Sequence, residues 1–118
     1  MNIEQLYEYC ISRKGAVASF PFDETSLVLK VCDKMFALIP LDEQNLQISL
    51  KCDPAKATEL REKYPCVEPA YHFNKKYWNT VFLNRQMKDD EIKNWICHSI
   101  DEVIKKLPKK VRDEYYQD

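Results

Sequence analysis

Residues 25–51 read TSLVLKVCDKMFALIPLDEQNLQISLK, three apolar segments parted by two short polar reversals. From Thr25 to Val31 the residues alternate. Leu27, Leu29 and Val31 fall on one face, and Ser26, Val28 and Lys30 on the other, which is the period of a strand. Cys32-Asp33-Lys34 is a tight reversal, and residues 35–39 are almost wholly apolar, as suits a strand central in a sheet. After the polar connection 41–45, Leu46, Ile48 and Leu50 alternate with Gln47, Ser49 and Lys51, a half-buried pattern. Parallel neighbours need long crossovers, so connections this short predict an antiparallel meander.

Working outward, residues 16–20 form a short strand ended by Pro21. Before it, Asn2 and Gln5 stand in capping-box positions. Ile3, Leu6, Tyr7, Cys10 and Ile11 then follow the stripe of an amphipathic helix, with Gly15 its natural stop. On the other side, Asp53-Pro54 pairs an N-cap with a first-turn proline. That helix carries Ala57, Leu60 and Tyr64 and stops before Pro65. Asp89 or Asp90 opens the longest stripe, Ile92, Trp95, Ile96, Ser99, Ile100, Val103, Ile104 and Leu107, which Pro108 interrupts. Residues 109–118 are expected to be a charged C-terminal tail that can form a final short, fraying helix. The expectation is one α+β domain over residues 1–118, a single antiparallel sheet with helices packed on one face and the other face partly open.

Composition narrows the function. With Gly15 as its one glycine, the chain can carry no Gly-rich phosphate loop. The first residues lack the basic lead and apolar core of a signal peptide, and no apolar run reaches membrane-spanning length. A cytoplasmic protein with no membrane partner is expected. Cys10, Cys32, Cys52, Cys66 and Cys97 are odd in number and widely spaced, and read as reduced core residues. The net charge of −1 hides a division: residues 1–48 carry −3, residues 49–88 carry +4, and residues 89–118 carry −2. A basic middle third suits an anionic partner, although the overall balance disfavours tight non-specific nucleic-acid binding.

That middle third contains PAYHFNKKYWNTVF, residues 69–82, with five aromatics, His72, two asparagines and a lysine pair. The first half reads as a loop opened by Pro69. The second half reads as a strand with Tyr77, Asn79 and Val81 on one face and Trp78, Thr80 and Phe82 on the other. The segment YHFNKKYWNTV, with Pro69 before it, closely resembles the signature of the MmcQ/YjbR family of small bacterial proteins. Lys34-Met35-Phe36-Ala37, Leu50-Lys51-Cys52 and Asp53-Pro54 fit the same pattern in order and spacing. The resemblance runs from the first helix to about Leu107. It implies a fold similar to frataxin/CyaY, with a curved sheet likened to a double-wing DNA-binding surface, and a DNA-binding protein rather than an enzyme.

On that reading Lys30 and Lys51 on their strands, Lys75 and Lys76 in the loop, and Arg85 and Lys88 after it would meet phosphates. Asn74 and Asn79 would read base edges, and Tyr71, Phe73, Tyr77 or Trp78 would stack on an unpaired base. The competing reading makes the aromatics core and the lysines a solvated loop; it is the better one for Trp78 and Phe82, and the two are even for Lys75 and Lys76. No helix resembles a basic recognition helix. The second functional reading is a small-molecule or protein-binding module. There the loop walls a pocket into which His72 and Asn79 point, and the lysine pair holds a carboxylate or phosphate. Oligomeric state is open.

Other chemistry finds little support. His72 has no orienting acid nearby except Glu68, and as a ligand it would need Cys66 or His98 brought to it. A histidine bonded to backbone is the better expectation for it, and a structural or solvated role for His98. Iron binding by frataxin analogy needs an acidic ridge that Glu4 and Glu8 alone do not make. Ser19, Ser26, Ser49 and Ser99 lie in no nucleophile motif, and a reactive Cys66–His72 pair is less favoured than a buried cysteine. No catalytic residue, metal or cofactor is expected.

Overall fold

The computed structural model describes residues 1–117. Helix α1, Ile3–Ile11, begins with the full capping box: the Gln5 N–H donates to Asn2 Oδ1 at 2.8 Å and the Asn2 N–H donates to Gln5 Oε1 at 2.9 Å. It ends at Ser12, earlier than the glycine predicts. Gly15, at φ +71°, instead shapes the loop into strand β1, Val17–Ser19. Strands β2, Ser26–Val31, β3, Lys34–Pro40, and β4, Gln47–Lys51, follow as the alternation predicts. Helix α2, Pro54–Lys63, is capped by Asp53, whose Oδ2 accepts the N–H groups of Ala55 and Lys56 at 3.1 and 3.2 Å. Strands β5, Val67–Pro69, and β6, Trp78–Phe82, flank the aromatic loop. Helix α3, Asp89–Ile104, carries Asp89, Asp90 and Glu91 in its first turn, where negative charge suits the helix dipole.

The six strands form one antiparallel sheet in the order β1-β2-β3-β4-β6-β5. Strand β6 therefore intervenes between β4 and β5 and leaves β5 at the edge. Leu29, Ala37, Leu50 and Asn79 fall in register on the face that the helices cover, alongside Ile39, Ile48 and Val81. Ser99 of α3 stitches this layer together. Its Oγ donates to the Phe36 carbonyl at 2.6 Å and accepts the Lys51 N–H at 2.9 Å. A fully buried serine is thus satisfied by two strands at once.

The opposite face carries the row Ser19, Val28, Leu38, Ser49, Thr80 and Glu68, one residue from each strand. Its middle is less open than expected: Val28, Ser49 and Thr80 are all buried. The charged C-terminal segment holds a short helix, the alternative the sequence offered. Lys109–Tyr116 is a helix, α4, fastened to the body by two tyrosines. Tyr115 Oη donates to the Lys14 carbonyl at 2.8 Å, and Tyr116 Oη donates to Asp101 Oδ1 at 2.7 Å. Among the described residues no helix is long and apolar enough to cross a membrane.

Candidate functional site

The loop between β5 and β6 is held by α2. Arg61 Nε donates to Asn79 Oδ1 at 2.6 Å, and the Arg61 guanidinium also reaches the Lys75 carbonyl. Asn79 Nδ2 donates onward to the Ala57 carbonyl at 3.2 Å. Asn79 is 2% exposed, so both ends of its amide are spent on the helix. It neither reads a base edge nor points into a pocket, as the sequence suggested. The signal missed was Arg61, which reads in sequence as one more solvated cation on a helix. Asn74 is also engaged locally: its Oδ1 accepts the Lys76 N–H at 3.0 Å and its carbonyl accepts the N–H groups of Tyr77 and Trp78. This is an Asx-type turn, and it sets the direction of the lysine pair.

Lys75 and Lys76 are exposed and ride on aromatic rings, with Lys75 Nζ 4.9 Å from the centre of Tyr71 and Lys76 Nζ 5.5 Å from that of Tyr77. Such pairs hold an ammonium in place without neutralising it. Tyr77 is half-buried, and its carbonyl accepts the Cys52 N–H at 2.7 Å, which ties the loop to the end of β4. Trp78 pairs with Lys51 and stacks on Phe73 at 4.8 Å, so Trp78 is structural, as expected. Lys51 is half-buried. Burial, with the Lys106 ammonium nearby, holds its own ammonium below the ordinary lysine value, against the pull of Glu102. Lys105 adds to the same repulsion while pairing with Glu102 at 2.6 Å. Lys105 and Lys106 belong to the acidic last third of the sequence, and only the fold brings them to Lys51.

Lys30 pairs with Met35 at the matching end of the β2–β3 hairpin, two strand spacings, or about 10 Å, from Lys51. Lys30, Lys51, Lys75 and Lys76 therefore share one end of the sheet. Arg85 does not. It lies past the far end of β6, some four residue rises or about 13 Å further along, with its guanidinium 4.8 Å from the centre of the Phe82 ring.

From the aromatic loop towards the opposite end of the sheet, where β3 turns into β4, the outer face forms a cleft of about 510 Å³. Leu38, Ser49 and Thr80 line its floor, Phe22 and Asp23 one side, Tyr71, His72 and Phe73 the other, and Asp42 and Glu43 one margin. A larger depression of about 880 Å³ beside α1 touches none of the loop residues. His72 stands exposed on the cleft rim. It is His98 that holds a backbone group, accepting the Asp53 N–H through Nε2 at 3.2 Å. Cys66 is 1% exposed and lies in the core under the helices, so it makes no pair with His72. Among the described residues no three His, Cys, Asp or Glu side chains gather as a metal-binding group.

A family model described as YjbR matches residues 11–101. The chain is 33% identical over 112 residues, 95% of both chains, to a YjbR protein of Escherichia coli K12 described as uncharacterized. A YbdF protein of Escherichia coli O157:H7, described in the same way, is 31% identical over 97 residues, 79% of this chain and 80% of that one. Among solved structures, a Deinococcus radiodurans protein of the domain family DUF419 superposes with a TM-score of 0.89 at 33% identity, covering 99% of this chain and 89% of that one. A Pseudomonas syringae protein gives 0.75 at 29% identity, covering 86% and 98%.

Proposed function

The chain belongs to the YjbR family, and from that premise we propose that it is a non-catalytic DNA-binding protein. It docks the phosphate backbone on the basic end of its sheet. The observation that carries this reading is the gathering of Lys30, Lys51, Lys75 and Lys76 at one end of the sheet, with Lys106 near Lys51. Ammonium groups held together repel, and a polyanion relieves that repulsion while releasing counterions. Contacts of this kind position DNA and carry little sequence information. Small-molecule binding with the lysine pair holding an anion fits less well, because Asp42 and Glu43 line the adjacent cleft.

The test is fluorescence anisotropy with labelled double- and single-stranded DNA at two salt concentrations, on wild type and on Lys75→Glu/Lys76→Glu. Binding that weakens with salt and falls by about tenfold or more in the folded double variant is the expected outcome. Absence of binding by wild type at low salt would end the DNA reading.

A further inference from the structure

The cleft on the outer sheet face has the opposite character to the basic end, and its acidic margin lies at the other end of the strands. Its charged lining is acidic, from Asp23, Asp42 and Glu43. Asp23 accepts the N–H groups of Thr25 and Ser26 at 2.9 and 2.6 Å, and these bonds hold its carboxyl below the usual range, so it stays ionised. Phe22 and Tyr71 on the two sides are 65% and 63% exposed, large rings left in water across a concavity. Tyr71 already carries the Lys75 ammonium 4.9 Å from its ring centre, so what the ring offers the cleft is an apolar wall.

The floor supplies an independent sign. Ser49 and Thr80 are each 7% exposed, in a sheet row with Val28 and Leu38 on one side of them and Glu68 on the other. Their hydroxyls share one hydrogen bond of 2.9 Å. A single shared bond uses one proton and one lone pair of the two groups, and leaves acceptor capacity at the bottom of the cleft. This cross-strand hydroxyl pair stabilises the sheet by itself, and its spare lone pairs stay available to a donor that enters the cleft.

We infer that this cleft binds a small organic cation with an apolar body. The ammonium, amidinium or guanidinium end meets Asp42, Glu43 and the Ser49–Thr80 hydroxyls, and the apolar part lies between Phe22 and Tyr71. The volume of about 510 Å³ falls within the range of small-molecule pockets, about 300–1,000 Å³. The negative lining also repels a nucleic-acid backbone, so this site does not rest on the DNA reading.

The probe is benzamidine, a planar cation on an apolar ring, titrated into the ¹⁵N-labelled protein, with neutral benzamide and anionic benzoate as controls. Benzamidine should shift the amide resonances of Ser49, Tyr71 and Thr80. It should bind about tenfold more weakly to Asp42→Asn/Glu43→Gln, the upper end of the loss expected from two exposed charges. Ser49→Ala/Thr80→Val should weaken it as well while leaving the fold intact, because a hydroxyl pair replaced together leaves no orphan. DNA binding of Asp42→Asn/Glu43→Gln should not fall. The inference is overturned if benzoate shifts the same resonances as strongly, if the carboxamide variant binds benzamidine as wild type does, or if benzamidine moves none of the three.

Discussion

His98 illustrates how a single residue's role follows from its neighbours. Its Nε2 accepts the Asp53 N–H and its ring meets Trp95 edge-on at 5.0 Å. Burial lowers its tendency to protonate, helped by Lys56 and opposed by Glu102, Asp53 and Asp101. The folded chain thus resists a proton that the unfolded chain accepts at about pH 6.5. The contribution to stability is therefore complete above that pH and is lost as pH falls towards the lower folded value. Between pH 7.5 and 5.5 the thermal midpoint of wild type should fall more than that of His98→Gln; equal slopes would remove this role. The sequence places His98 beside Cys97 on a helix, but the donor lies on another element, before α2, and no spacing reveals it. Asn79 and Arg61 teach the same lesson. The amide was legible as polar and strand-borne, and its partner was not.

Among elements, the β2–β3 hairpin is the clearest case of local chemistry working against geometry. Its two-residue loop, Cys32-Asp33, holds φ of 50° and 62° between the paired residues Val31 and Lys34. This is the backbone of a primed turn, which twists with the strands and favours Asn-Gly. The alternation on either side places the reversal, but Cys and Asp both occupy a region that costs an L-residue energy. Asp33→Gly should therefore stabilise the protein by about 0.5–1 kcal/mol, the glycine's larger unfolded entropy offsetting part of the relief. Urea unfolding reads this directly; an unchanged or lower midpoint would show the turn unstrained. Helix α4 is the converse. Its charge disguised two docking tyrosines: Tyr115 and Tyr116 anchor through hydroxyls to Lys14 and Asp101, and Val111 with Tyr115 makes an apolar stripe of only two residues.

At the scale of the whole molecule, the net charge of −1 separates into a basic sheet end and an acidic cleft. Proximity at one end, and not count along the chain, should decide which cations matter to an anionic partner. Arg85 lies in the basic third of the sequence, and Lys106 in an acidic one. Lys106→Glu should weaken DNA binding several-fold and steepen its loss with salt no further, whereas Arg85→Glu should leave it within about twofold. Anisotropy on the two single variants measures this, and a larger loss from Arg85→Glu would dissolve the proposed grouping.

The sequence by itself determined the elements other than the short edge strand β5, and the inward faces of the longer strands. Residue alternation, the α1 capping box, the Asp53 cap and the proline stops act over a few residues, and burial of one face per strand fixes which side is core. The signature stretch carried the family. Tertiary structure alone decided the insertion of β6 between β4 and β5, the latch of Arg61 on Asn79, the meeting of Lys51 with Lys106, and the cleft between Phe22 and Tyr71. Each depends on which distant segments become neighbours, and a long-range contact between two polar side chains leaves no periodicity in the chain.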